Sequence, residues 1–320
     1  MSVPACVKYE IIREMTQRDD NMLNISWLCI TAGVSRAGYY HYLASERSRQ
    51  QREERDQKDF LAILEAYGYR GYDKGARGIY MRLLHEDPPE HMNIKKIRRL
   101  MKKYGLKCPI RKANPYRRMA KAMATANVAP NLLNREFETQ GPRKVLLTDI
   151  TYIINGKAPR CYMSTIIDAC TKELLAWKLS ESLELDFVLE TVEQLLEQYG
   201  ISLTAETLIH SDQGVHYTSI KFIRLVKDSA LRQSMSRRAN CWDNAPQESF
   251  FGHMKDEIDI SCCTTVDEIR QAIADWADYY NNERYQWDLS RLAPSEYYRY
   301  LITGKYPLNI PLAKGKNYTF

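Results

Sequence analysis

No two of the eight cysteines stand in C-x-x-C spacing, and the six histidines complete no zinc-binding pattern with them. The thiols therefore read as buried and free, in a reducing cytosol. No apolar run is long enough to cross a bilayer and no secretory signal peptide opens the chain, which argues against a membrane partner and for a cytoplasmic protein. Sustained heptads are missing too, so no long coiled coil is expected. A local absence says more: residues 91–121 contain no acid, against twelve lysines and arginines.

That gap belongs to a wider asymmetry. The 320 residues carry a net charge of +6, but residues 1–143 hold 27 basic against 16 acidic side chains, and residues 144–320 hold 19 against 24. A basic front and an acidic back suit a nucleic-acid grip joined to a metal-using catalytic half. Ordinary solubility patterning is the alternative. The length suits two or three domains.

The front half reads as helices. Residues 1–23 form a short helical lead-in with Tyr9, Ile11, Ile12 and Met15 on its apolar side. In the stretch 26–43 a short apolar helix ends at Gly33 and Ser35 can cap the next, which is helix-turn-helix punctuation. The second helix would turn Arg36 and Tyr40 outward; an ordinary helical hairpin is the alternative. Residues 45–59 are almost wholly polar and read as an exposed helix or linker with pairs such as Arg49–Glu53. An apolar helix resumes at 60–67 and breaks at Gly68, and the next runs from Ala76 to His85.

Asn93 then caps a helix of residues 94–104, stopped by Gly105, with Ile94, Ile97, Leu100 and Met101 as its buried stripe. Lys95, Lys96, Arg98, Arg99, Lys102 and Lys103 cover the rest, an electrostatic footprint for a phosphate backbone. The reading is a second helix-turn-helix unit with this recognition helix; a merely solvated basic helix is the alternative. Residues 110–143 read as a partly extended linker that could track DNA, ending at Gly141-Pro142.

Three acids stand out in the back half. Asp149 sits in the middle of an apolar strand, 145–154, and Asp212 follows a short apolar strand, 206–211. Glu248 lies near the start of a helix that Asp243 or Asn244 can cap and whose first turn suits Pro246; thirty-five residues separate it from Asp212. Phe251 and Lys255 follow at i+3 and i+7 on one stripe. Mg²⁺ needs oxygen ligands, and two-metal phosphoryl transfer needs several carboxylates converging on one point; two strand acids and one helix acid can supply that. Glutamate and lysine at this spacing also suit a solvated face. Asp168 and Asp243 read as turn or cap residues, and His210 and His253 as apolar-face or surface histidines.

Taken together, Thr148-Asp149-Ile150-Thr151-Tyr152, His210-Ser211-Asp212-Gln213-Gly214 with Tyr217, and Asp243-Asn244-Ala245 through Glu248-Ser249-Phe250-Phe251 to Lys255 resemble the Asp-Asp-Glu transposases of the retroviral-integrase superfamily. The match is nearest to the B-frame product of the IS-three group of bacterial insertion sequences. Tyr67-Gly68-Tyr69-Arg70 and Tyr279-Tyr280-Asn281-Asn282-Glu283-Arg284, with Leu289 and Pro294, extend it over roughly residues 30–300. Leu146 stands where the family usually has Trp, and Ala239 where Gly is usual before Asn240.

The resemblance implies an α/β fold: an RNase H-like catalytic core, a mixed five-stranded sheet with helices, preceded by all-α helix-turn-helix DNA-binding units. The expected divisions are 1–55, a helix-turn-helix with charged linker; 56–125, a second basic helix-turn-helix-like unit; 126–143, a linker; 144–304, the core; and 305–320, a tail. Strands are expected at 145–154, 160–168, 173–179, 206–211 and 232–236, with helices at 185–199, 219–228, 266–280 (capped by a Thr265–Glu268 box) and about 294–301. Asp149, Asp212 and Glu248 would be the catalytic residues and the ligands of two Mg²⁺ ions, with Mn²⁺ able to substitute, and Lys255 would position phosphate. The implied activity is transposition: binding of the element's terminal inverted repeats, then cleavage and strand transfer into target DNA. A homo-oligomer on DNA, an upstream A-frame product or fusion, and a nucleoid-associated bacterial location go with it. The alternatives are a non-catalytic DNA-binding regulator and an RNase H-like nuclease of repair.

Overall fold

Polar caps punctuate the front of the chain. A computed structural model describes residues 3–18, 22–71, 75–108, 141–154, 157–236 and 245–310. Asn24 accepts the Trp27 N–H at 3.0 Å to open α2 (Ile25–Ala32), Gly33 closes it in the left-handed region at φ 66°, and Ser35 accepts the Gly38 N–H at 3.0 Å to open α3 (Arg36–Ala44). With α1 (Ala5–Thr16) they close a small core of Ile12, Leu28, Cys29 and Tyr39. Ile11, expected inside, is 48 % exposed; Tyr9, Ile12 and Met15 carry the buried side. Arg36 and Tyr40 do face solvent, with the guanidinium 5.9 Å from the ring.

Two local expectations differ. The polar stretch 45–59 and the apolar helix after it are one helix, α4 (Glu46–Gly68), 23 residues long. Arg49, expected to pair with Glu53, turns back to donate to Ser45 Oγ at 2.6 Å and lies 3.5 Å over the Tyr42 ring. The helix ends at Gly68, as expected, and the left-handed residue of the turn that follows is Arg70, at φ 53°.

The chain divides into two compact units, Met1–Glu65 and Ala66–Phe320. The second opens with α5 (Ala76–Leu84) and α6 (Ile94–Lys103), which pack together and bury Ile79, Leu83, Ile97 and Leu100; the Asn93 side chain caps α6 by accepting the Lys95 N–H at 2.8 Å. The sheet follows: β1 (Val145–Ile153), β2 (Cys161–Asp168), β3 (Leu174–Ser180), β4 (Leu208–Ser211) and β5 (Arg232–Met235), in the order β3-β2-β1-β4-β5. β1, β2 and β3 are antiparallel; β4 runs parallel to both β1 and β5. This is the RNase H-like sheet the sequence implies.

β1 is apolar on both sides because both faces are covered. Leu146 and Ile150 face α7 (Asp186–Tyr199) and α8 (Ile220–Asp228); Val145, Leu147 and Ile153 face α9 (Ala245–Glu257) and α10 (Val266–Asn282). Leu146, in place of the family's Trp, is fully buried, so the smaller side chain leaves no open surface. α10 opens on the expected capping box, with Glu268 N–H donating to Thr265 Oγ1 at 3.3 Å and Thr265 N–H to Glu268 Oε2 at 3.2 Å, and α11 (Pro294–Thr303) follows. The seven cysteines among the described residues are free thiols, and no described helix is long and apolar enough to cross a membrane. The DNA-tracking linker through residue 140, Ala239, the caps Asp243 and Asn244, and residues 311–320 lie outside the described residues.

Candidate active site

Strand alternation puts Asp149 on the same face of β1 as Leu147 and Ile153, beneath α9. Its carboxylate accepts the Ile150 N–H at 2.7 Å and stays half-exposed. Asp212 is the first residue past β4, exposed, with Oδ1 accepting the Gly214 N–H at 2.8 Å. The β1–β4 register pairs Leu147 with His210. The paired residues end there, and Asp149 and Asp212 each follow two residues later, on β1 and just past β4.

Tyr217 packs next to β1. It is fully buried, its hydroxyl lies 3.5 Å from Thr148 Oγ1, and it packs edge-on against Phe222. Burial pushes its pKa well above the ordinary value, and the charges of Asp149 and Asp212 push it further in the same direction. Both carboxylates thus act on one phenol, which stays protonated.

The third acid is carried by α9. Gln247 is fully buried and its amide donates to Thr165 Oγ1; Thr165 is the cross-strand partner of Asp149 on β2, and its hydroxyl reaches the Asp149 carbonyl at 3.5 Å. One residue on, Glu248 is exposed. The first turn of α9 is therefore fastened next to Asp149, with Glu248 turned to solvent. The structure puts Asp149 on β1, Asp212 just past the neighbouring parallel strand β4, and Glu248 on the helix that covers the Asp149 face. Among the described residues the three carboxylates are not drawn into one metal-holding cluster.

Lys255, two turns beyond Glu248, is exposed and lines a cavity of about 370 Å³ with Tyr152, Ile154, Met254 and Ile258. Phe251, expected on the same stripe, instead points into the core against Phe250. On α6, Lys95, Arg98, Arg99, Lys102 and Lys103 are exposed and Lys96 is half-buried.

Asp168 is a turn residue, as expected. It is fully buried and accepts from Arg143 N–H at 2.8 Å, Arg143 Nη1 at 3.0 Å, Cys170 N–H at 2.8 Å and Thr171 N–H at 3.2 Å. Arg143 also reaches Glu173 at 2.7 Å. Burial alone would lower its pKa, but the charges of Glu173 and Asp168 outweigh it and raise it. His210 is fully buried, with Nδ1 2.9 Å from Ser234 Oγ.

Three supports of the site escaped sequence reasoning: Gln247–Thr165, Arg143–Asp168–Glu173 and the pair at the far end of α9. There Arg284 clasps Glu257 through contacts of 2.7–3.0 Å, and Trp276 Nε1 donates to the same carboxylate at 3.0 Å. Only the first had a signal in the sequence, a polar residue just ahead of the helix acid.

Residues 139–241 match the integrase core domain family, residues 229–294 a second integrase core domain family, and residues 54–114 an HTH-like domain. The putative transposase InsK for insertion sequence element IS150 of Escherichia coli K12 is 34 % identical over 218 residues, covering 67 % of this chain and 74 % of that protein. The chain belongs to the insertion-sequence transposases with an integrase core. An uncharacterized transposase-like protein of Haemophilus influenzae is 32 % identical over 209 residues, 64 % of this chain and 93 % of that one. Among solved structures, a chain of the simian T-cell lymphotropic virus intasome in complex with PP2A regulatory subunit B56 gamma aligns with TM-score 0.44 and 11 % identity, over 80 % of this chain and 78 % of that one. Membership makes this transposase a polynucleotidyl transferase by class.

Proposed function

We propose that this transposase cuts and joins DNA at the ends of its element by two-metal phosphoryl transfer, with Asp149, Asp212 and Glu248 as the catalytic carboxylates. The observation that carries this is the parallel pairing of β1 and β4, with Asp149 on one strand and Asp212 just past the other, next to the helix that bears Glu248. The donor set fits a hard divalent cation: all three side chains offer oxygen. Two Mg²⁺ ions, or Mn²⁺ in their place, would lower the pKa of an attacking hydroxyl and offset charge on the leaving oxygen. Tyr217 keeps its proton and adds no further negative charge beside β1. Lys255, on the Glu248 side of α9, holds a phosphate of the DNA. Cutting and joining then differ only in the nucleophile, water in one and a DNA 3′-hydroxyl in the other.

The basic front binds double-stranded DNA, through residues 1–55 with Arg36 and Tyr40 and through the unit 56–125 with α6; residues 126–143 link these to the core at 144–304, and 305–320 form a tail. Terminal inverted repeats and target DNA are the substrates, the working form is a homo-oligomer on DNA, and an upstream A-frame product or fusion completes it. Each lysine of α6 that touches a phosphate contributes about 0.9 to the slope of log K against log salt. Replacing Lys95 and Lys102 together by Gln should therefore flatten that slope by about 2, equally on specific and unrelated duplexes. Fluorescence anisotropy across a salt series reads this; an unchanged slope would take α6 off the backbone.

The reading as a whole is tested with labelled duplex carrying the element's own ends and Mg²⁺ or Mn²⁺, comparing wild type with Glu248→Gln. Nicking followed by joining, lost in the variant, is the expected result. Binding without cleavage by either protein, with the A-frame product added, would instead favour a regulator.

A further inference from the structure

Two motifs of the sequence have no part in the chemistry above: Tyr67-Gly68-Tyr69-Arg70 and the segment from Tyr279 to Arg284. The fold brings them together. Arg70, held at φ 53°, reaches Asp278 at 3.1 Å and Glu283 at 2.6 Å. Arg82 on α5 lies 3.6 Å over the Tyr69 ring and faces the other oxygen of Glu283 at 3.6 Å. Further along, His85 stacks on Tyr285 at 3.5 Å, with its Nε2 3.2 Å from Glu296, and Tyr80 meets Trp287 at 6.2 Å. The basic helical unit thus supplies the cations, and the segment from α10 to α11 supplies the acids and two of the aromatic rings.

The contact has the character of a built interface. Arg82 is 12 % and Glu283 19 % exposed, so the pair is largely withdrawn from water and screened less by salt than a surface pair. Its polar partners sit inside an aromatic frame, and the segment that accepts them is rooted in the core. Asn281 hydrogen-bonds both backbone groups of Leu174 on the edge strand β3, at 2.9 and 2.8 Å, and Tyr280 donates to the Lys172 carbonyl at 3.0 Å. Asn281 faces β3 and Glu283, two residues on, faces α5, so the same short segment holds both.

We infer that Glu283 is a positioning residue: it clamps the basic α5–α6 unit to the catalytic core and so fixes the distance along the DNA between the grip of α6 and the cut. This rests on the function proposed above. A grip and a blade on one rigid body measure a set length of duplex; on two loosely joined bodies they do not. The clamp touches neither the carboxylates nor the exposed basic face of α6. Its loss should leave binding intact and spoil the placement of the scissile phosphate, to which rates are steeply sensitive.

The test uses the full chain, an end-labelled duplex with the element's own terminus, and Glu283→Gln, which keeps the shape and removes the charge, beside Arg70→Gln. Wild type is expected to cut at one phosphate. Both variants should bind that duplex with unchanged affinity and salt slope, and lose about 10- to 100-fold in cutting at that phosphate, with products spread to neighbouring positions. Hydrogen exchange separates loosening from unfolding: α5 and α6 should exchange faster while β1 and β4 keep wild-type protection. Cutting at the wild-type position and rate, or exchange that rises equally throughout the core, overturns the inference. Wild type that binds and never cuts would instead overturn the proposed function.

Discussion

Arg284→Met should destabilise the catalytic unit by about 3 kcal/mol, at the lower end of what removing one partner of a buried ion pair costs. The guanidinium is 17 % and the Glu257 carboxylate 5 % exposed, so the methionine variant leaves a carboxylate in the interior with one remaining hydrogen bond of the three groups' network, that from Trp276 Nε1. Burial on its own would lower the pKa of Arg284, and the adjoining Glu257 charge reverses that, which marks an attraction strong enough to outweigh desolvation. For a unit of this size the loss should lower the melting temperature by roughly 6–12 °C. Glu257→Leu combined with Arg284→Met should cost less than the two single changes added together, because no charge is then left unpaired. Urea unfolding followed by tryptophan fluorescence gives all four corners of that cycle. Strict additivity would mean that the two side chains do not stabilise each other.

The consequence reaches the active site through α9. Glu257 closes the same helix whose first turn is fastened by Gln247 to Thr165. One end is fixed at the cross-strand partner of Asp149 and the other to α10, so the helix acid is held from both sides. Arg284→Met should therefore also lower the cleavage rate, through the orientation of Glu248 and not through any contact with DNA.

How much of this was legible in the sequence depends on the range of the interactions concerned. The strands, the helices around them, the capping box at Thr265 and the αL turn at Gly33 are set by local pattern, and the structure has them within a few residues. The parallel neighbourhood of the strands that carry Asp149 and precede Asp212 was also expected, and β1 and β4 do pair in parallel. The continuous α4 was harder, because its first half has no apolar stripe to distinguish a polar helix from a linker. The turn just after Gly68 was legible, but which residue in it takes the left-handed conformation was not. Gly68 is the residue that local propensity favours for a left-handed turn, but Arg70 takes the conformation because Asp278 and Glu283, more than two hundred residues away, hold its side chain. The same applies to Arg143 with Asp168 and to Glu257 with Arg284: pattern tells that a charge is present and tertiary packing decides its partner.

Asp149→Asn should separate catalysis from everything else the protein does. The asparagine is isosteric, and the carboxylate it replaces is half-exposed, so the fold loses little. Without metal the variant should therefore melt close to the wild-type temperature. Mg²⁺ should raise the melting temperature of wild type, by a free energy near 2.7 kcal/mol at a hundred times the dissociation constant, and that rise should shrink sharply in the variant. DNA affinity and its salt dependence should not move, because the proposed grip is on α6 and the front helices. Cleavage should fall by about a thousandfold or more, since several kcal/mol of charge stabilisation is withdrawn and each 1.36 kcal/mol is a factor of ten. The melting and binding measurements make the kinetic one interpretable. A variant that is stable, binds DNA and no longer responds to Mg²⁺ has lost a ligand and not a fold, whereas a variant that still cuts in Mg²⁺ would remove Asp149 from the site and leave the β1–β4 register without a catalytic meaning.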